Sequence, residues 1–393
     1  MTDTVSARPR HATHVDMSLH GFTAEELQVG QLAYEISAKY ADRSLHDPDA
    51  VSSAWREMTA AGLTALGIPT EFGGAGENLM LLTLVSERTA AAGFPSSRMT
   101  LCQGIIGRIL YRSGTDAQRQ EWLPRLAQGD ILFSFALTEA GSGSNAARMQ
   151  TTARRTPGGW VVNGEKAYIS DFGNADALLL AAQTPEAGGI SMFLVRNPRE
   201  RIEGRPQKMD ITTSSGQPYT LFIDDLELTD DDVIGQSGAG LRAVFPGLNA
   251  ERILASAQVI GLGRWGLDRA IAYANERVVF DVPIGSHQAV QHPLAEAYIQ
   301  LECAWALNIA VARAYDDQAG GGAQANAAKV AAADAGFFAL DRALQVHGGS
   351  GFTADVGLVE RYMMARFFKT APVTREMALN HLSVQALGLP RSY

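Results

Sequence analysis

The chain has 393 residues, 46% hydrophobic and 19% charged, with a formal net charge of −9. That length and apolar content predict two or three domains around a large buried core. The acidic balance and the want of any basic stretch exclude nucleic acid as a partner. Cys102 and Cys303 stand far apart with no Cys/His cluster beside either, which predicts buried thiols in a reducing compartment and no metal site. No apolar run reaches the ~18 residues of a membrane span.

Residues 1–22 are polar and lack a hydrophobic signal core, so they read as a flexible leader or short arm of a cytoplasmic protein. Residues 23–130 have helical periodicity. Asp47 is placed to cap a helix that opens at Pro48 and runs through Trp55, Met58 and Leu63. Residues 67–76 (GIPTEFGGAG) form a loop, and helices are expected over Leu79–Ala92, Gly104–Ser113 and Asp116–Leu126.

Over residues 131–237 the period shortens to that of strands: Ile131–Leu137, Trp160–Val162, Ala177–Ala182, Ile190–Val195 and Tyr219–Ile223. Asn163-Gly164 is a hairpin signal. A small barrel or sandwich is expected. Residues 238–393 return to an alanine-rich helical pattern, with helices over Leu241–Phe280, His287–Gln318, Ala323–Val346 and Val356–Lys369. Four long helices in a row predict a bundle. The fold class is therefore α+β multidomain: an N-terminal all-α domain, a middle β-barrel or sandwich domain, and a C-terminal four-helix bundle.

Gly261-Leu-Gly263-Arg-Trp-Gly266 fits the dinucleotide-binding pattern G-x-G-x-x-G. That site needs a strand before it and a helix after it. Here it lies inside a helical run, so the glycines are expected to serve close helix packing. His347-Gly-Gly is similar to an esterase oxyanion loop, but no G-x-S-x-G turn accompanies it.

The order helix, strand, helix, read with four motifs, resembles the acyl-CoA dehydrogenase family from about residue 25 to 390. Phe135–Ser144 (FALTEAGSGS) resembles its first flavin motif. A glycine-rich polar loop after a strand lets backbone N–H groups and hydroxyls approach a ligand. The resemblance implies that Leu137 and Thr138 contact the flavin of FAD, and that Ser144 meets its pyrophosphate and the substrate. Asn163–Ser170 (NGEKAYIS) resembles the family's second flavin strand, which implies that Tyr168 and Ser170 lie against the ring system. Two residues apart on a strand, they should share one face.

Tyr273–Phe280 (YANERVVF) followed by His287-Gln288 resembles an element that reaches the FAD of a neighbouring subunit, implying roles for Arg277, Phe280 and Gln288. Gln345–Phe352 (QVHGGSGF) resembles Q-x-x-G-G-x-G-(F/Y), implying that Gln345, Gly348 and Gly349 hold the adenosine-diphosphate half. Thr374 and Glu376 match flavin-proximal positions near the C-terminus. These elements imply a homodimer or a dimer of dimers.

Most members carry the catalytic glutamate in a Tyr-Glu-Gly-Thr stretch, where this chain has Pro372. Proline cannot remove a proton. Isovaleryl- and long-chain-type members place the glutamate in the first long helix of the C-terminal domain, in a pattern similar to Gly247–Arg252. Glu251 falls there, with Gly247, Leu248, Leu254 and Ala255 three and four residues away. A carboxylate on such a stripe is costly unless it has work or a partner. Arg252 is the expected substrate contact beside it.

The resemblance implies removal of a proton beside a thioester carbonyl by Glu251 and hydride transfer to flavin N5. The substrate is an acyl-CoA or an acyl-carrier-protein thioester, and the usual acceptor is an electron-transfer flavoprotein. The alternatives are a flavin monooxygenase or oxidase on the same scaffold, or a non-catalytic partner subunit.

Overall fold

The computed structural model describes residues 17–45, 47–95, 97–209 and 217–392. The first helices are α1 (Ala24–Ala38), α2 (Pro48–Ala60), α3 (Leu79–Ala91), a single turn α4 (Ser97–Met99), α5 (Arg108–Ser113) and α6 (Asp116–Ala127). Local chemistry fixes their starts. Thr23 and Glu26 form a reciprocal capping box for α1. The Asp47 side chain accepts the Asp49 N–H at 2.9 Å ahead of α2, as expected.

Met17–Phe22, expected as the end of a flexible leader, is docked instead. Met17 and Phe22 are buried, and the Phe22 ring stacks on Trp305 with centroids 6.5 Å apart. Arg313 also donates to the His20 carbonyl at 2.8 Å. Two large apolar side chains in a polar arm find a hydrophobic seat. Residues 1–16 of that leader lie outside the described residues.

The helix expected over Gly104–Ser113 is only partly α. Thr100–Gly107 winds as a π-helix before α5 begins at Arg108. The wider turn brings Gly104 so close to Leu254 that a Cβ there would overlap the leucine.

The middle segment forms one eight-stranded sheet from β1 (Phe133–Ala136), β2 (Thr152–Thr156), β3 (Gly159–Ser170), β4 (Ala177–Thr184), β5 (Gly189–Arg196), β6 (Glu203–Pro206), β7 (Pro218–Leu228) and β8 (Val233–Ile234). A short turn, α7 (Pro198–Arg201), precedes β6. The order is β6-β7-β3-β2-β4-β5-β8, with β1 parallel to β4.

Asn163-Gly164, expected as a hairpin turn, lies within β3 at a register shift against β7. The turn is at Pro157-Gly158. Asn163 instead exchanges hydrogen bonds with Asp225, at 3.0 and 2.8 Å. Gly164 has φ +152°, and a Cβ there would sit 2.6 Å from the Thr151 Cα. The glycine serves a close strand approach rather than a turn.

The C-terminal part contains α8 (Gly240–Glu276), α9 (Gln288–Asp316), α10 (Gly322–His347), α11 (Leu358–Phe367) and α12 (Arg375–Gln385). Trp265, Leu301, Trp305 and Leu340 lie in the core they share. The glycines of the G-x-G-x-x-G match do serve packing: a Cβ on Gly263 would sit 2.7 Å from Leu301, and one on Gly266 would sit 2.6 Å from Leu340.

Two expectations fail here. The first helix stops at Glu276, not Phe280, and β9 (Val278–Val279) pairs with β10 (Val282–Pro283). Paired β-branched valines favour strand, and Phe280 and Asp281, at φ +53° and +66°, make the tight turn. The second is α12, which the sequence reading did not anticipate; Thr374 caps it by accepting the Met377 N–H at 3.2 Å. Among the described residues no helix is long and apolar enough to cross a membrane.

Candidate active site

Leu137 and Thr138 leave β1 into the glycine-rich loop, and a buried ion pair anchors them. The Lys166 ammonium lies 2.9 Å from the Glu139 carboxylate and also donates to the Leu137 carbonyl at 3.2 Å. Glu139 accepts two more hydrogen bonds, from the Gln150 and Thr151 N–H groups at 2.6 and 3.0 Å. Burial opposes its charge, but these donors hold its carboxyl below the ordinary range, while burial pulls Lys166 down. Ser144, further along the loop, is exposed.

Tyr168 and Ser170 are both exposed with Ile169 buried between them, so they share the open face of β3. The strand is not regular there. Tyr168 has φ +62° at a register shift, and its N–H donates to the Gln207 side chain at 3.2 Å. Tyr168 as a residue is 59% exposed.

The second cluster lies at the far end of α8. Phe280, 87% exposed at the hairpin tip, joins Gln345, Arg342, His287 and Val290 around a cleft of about 310 Å³. Arg277 is exposed beside β9, and no ion-pair partner is found for it among the described residues. Gln288 opens α9, also exposed. Gly348 (φ +57°) and Gly349 follow α10 with open space where a Cβ would stand. His347 stacks on Tyr273 at 4.5 Å and fixes where that turn begins.

Glu251 sits on α8 one turn from Gly247 and Leu254, both packed on the Thr100–Ile109 segment. It keeps part of its surface accessible, yet the protein crowding its carboxyl pushes its pKa up to about 7, opposed only by Arg252. No hydrogen bond to that carboxylate is found among the described residues. The Arg252 guanidinium points elsewhere, donating to the Leu248 carbonyl (3.0 Å), Asn249 (2.9 Å) and Asn326 (2.7 Å).

Pro372 lies in the loop between α11 and α12. Lys329, buried on α10, holds this loop by donating to the Val373 carbonyl at 2.6 Å, and burial brings its pKa down to about 8. Thr374 and Glu376 line a cleft of about 570 Å³ with Arg366, Lys369, Arg375 and Asp334. The three groups that sequence reading missed are Glu139, Lys166 and Lys329. Only Lys329 carries a local signal, a charge inside an alanine-rich run; Glu139 and Lys166 lie in polar segments and their pairing spans 27 residues.

Helices, an eight-stranded sheet and a second set of helices in chain order define a three-domain architecture, and the comparisons say which one. The chain matches the families described as acyl-CoA dehydrogenase N-terminal domain over residues 19–130, middle domain over 134–225 and C-terminal domain over 238–386. It is 38% identical over 348 residues to acyl-CoA dehydrogenase FadE12 of Mycobacterium tuberculosis, covering 87% of this chain and 89% of that one. It is 30% identical to the human mitochondrial short-chain specific acyl-CoA dehydrogenase, covering 83% and 81%. Among solved structures, a glutaryl-CoA dehydrogenase from Mycobacterium smegmatis in complex with FADH2 superposes with a TM-score of 0.88 at 25% identity, covering 96% and 98%. The chain belongs to the acyl-CoA dehydrogenase family, whose members are oxidoreductases acting on CH–CH groups.

Proposed function

We propose that this protein dehydrogenates an acyl-CoA thioester to the enoyl thioester, with FAD as cofactor and Glu251 as the proton-abstracting base. The observation that carries the reading is Glu251: a half-buried residue whose carboxyl is unpaired among the described residues and is pushed by desolvation to a pKa of about 7. A base so tuned is about half ionised at neutral pH and keeps enough basicity to take the proton beside a thioester carbonyl. The Arg252 clamp to Asn249 and Asn326 supports the role. It keeps the nearest cation from closing on the base.

The residues present fit FAD. A loop with unused backbone donors, an exposed aromatic ring and an uncrowded Gly348-Gly349 turn are what a flavin and a pyrophosphate need. Bound there, the flavin supplies the hydride acceptor at N5. Leu137, Thr138, Tyr168 and Ser170 orient the ring, and Ser144 meets the pyrophosphate. Arg277, Phe280, Gln288, Gln345, Gly348 and Gly349 hold the adenosine half of a neighbouring subunit's FAD, which requires at least a homodimer. Thr374 and Glu376 complete the site near the flavin, and an electron-transfer flavoprotein takes the electrons. Cys102 is buried as expected, whereas Cys303 is exposed on α9; two free thiols suit a cytoplasmic enzyme.

The substrate's acyl group is carried on CoA, or on an acyl-carrier protein. A second reading, an oxygen-using oxidase or monooxygenase on the same scaffold, draws on Pro372. The test is anaerobic titration of the purified yellow protein with a panel of acyl-CoA and acyl-carrier-protein thioesters. Dehydrogenation bleaches the flavin without oxygen; an oxygen-using enzyme that does not abstract this proton leaves it yellow.

A further inference from the structure

The reaction above makes no use of the buried ion pair at the exit of β1. Lys166 is fully buried, and its ammonium touches three groups: the Glu139 carboxylate at 2.9 Å, the Leu137 carbonyl at 3.2 Å and the Met149 sulfur at 3.7 Å. The next carbonyl, that of Thr138, accepts the Ala167 N–H at 3.0 Å. Both carbonyls flanking the Thr138 N–H are therefore pinned to β3. The peptide between Leu137 and Thr138 is trans, so its C=O and N–H point to opposite sides. With the carbonyl held inward by Lys166, the Thr138 N–H faces outward, and it has no acceptor among the described residues. Thr138 is half-buried, and an N–H there without a protein partner is a donor that a ligand can use.

We propose that the Glu139–Lys166 pair is a positioning device for the cofactor: by holding the Leu137 carbonyl it aims the Thr138 N–H at the flavin and raises the flavin's reduction potential. This rests on the FAD reading. Reduction places negative charge on the pyrimidine side of a flavin, so an N–H donor that met the ring there would stabilise the reduced form more than the oxidised one. The pair itself is neutral overall, since Glu139 compensates Lys166. Its effect on the potential therefore runs through the peptide it orients and not through a net charge.

The test compares wild type with Lys166→Met and with the double variant Glu139→Gln/Lys166→Met, all as FAD-loaded holoproteins. The readouts are the midpoint potential of the bound flavin and the dissociation constant of oxidised FAD. The double variant exchanges one neutral pair for another, so it isolates the lost carbonyl contact and also removes the unpaired buried carboxylate that could stop the single variant from folding. In it, reduced FAD should bind about tenfold more weakly relative to oxidised FAD, a potential about 30 mV lower for a two-electron couple. A folded, loaded double variant with the wild-type potential overturns the proposal. Wild-type protein that binds no FAD at all overturns the cofactor reading, and this inference with it.

Discussion

Glu251 and Arg252 are adjacent in the chain, yet their charged groups part company. The Arg252 guanidinium reaches Asn249 and Asn326, at 2.9 and 2.7 Å, while Glu251 shares its helix face with Gly247 and Leu254 and makes no bond to Arg252 among the described residues. One residue is about 100° round a helix, and the two asparagines satisfy the cation. A carboxylate that could have been neutralised by its neighbour is left to feel its burial.

That burial links Glu251 to stability. Its pKa is raised from 4.5 to about 7 by folding, so the folded state binds more proton than the unfolded one between those values. Stability is full at or below about pH 4.5 and falls as pH rises through 7. Glu251→Gln should therefore raise the melting temperature at pH 8, by a stabilisation of at most about 3 kcal/mol, and leave it little changed at pH 4. Equal melting temperatures at pH 8 would show that the carboxyl is not desolvated.

The Arg252 clamp should be structural. Asn326→Ala removes the acceptor of a charge-assisted bond and leaves a buried guanidinium arm unpaired, which costs about 1.5–3 kcal/mol. Urea unfolding measures it as a lower midpoint at unchanged slope.

Gly164→Ala should destabilise the middle sheet by about 1–3 kcal/mol. The new methyl meets the Thr151 backbone at 2.6 Å, in a conformation of φ +152° that side chains avoid. Thermal unfolding checks it; an unchanged melting temperature would mean that β2 and β3 separate freely at this point.

Arg277→Ala should weaken FAD binding by about tenfold or more, the loss of one charge-assisted contact, and should leave the melting temperature of the FAD-free protein unaltered. The side chain is exposed and makes no ion pair among the described residues. Equilibrium dialysis of FAD against the variant reads the first effect.

The change from helical to strand period near residue 131 and back near 238 was legible, because those periods follow from burying one face of a helix or of a strand. So was the packing use of Gly261, Gly263 and Gly266, since a helical context forbids the dinucleotide loop. The hairpin at Val278–Pro283 was not. Its valines fit the apolar pattern of the preceding helix, and only the paired positive φ at Phe280 and Asp281 turns the chain. Asn163-Gly164 misled for the opposite reason: asparagine bound Asp225 across the sheet and glycine admitted Thr151, two long-range contacts that imitate turn chemistry.

The desolvation of Glu251 was legible in its apolar neighbours three and four residues away. The Glu139–Lys166 pair and the Lys329 latch were not, because each partner is brought close only by the tertiary fold.

The most direct measurement of the central claim is the rate of anaerobic flavin reduction by a bleaching thioester, in wild type and Glu251→Gln, from pH 5.5 to 9. With Glu251 as the base, the wild-type rate rises with pH through an apparent pKa near 7 in the free enzyme. The Gln variant stays yellow, at least about a thousandfold slower, while binding FAD as tightly as wild type. A Gln variant that bleaches at the wild-type rate would contradict the assignment and place the base elsewhere.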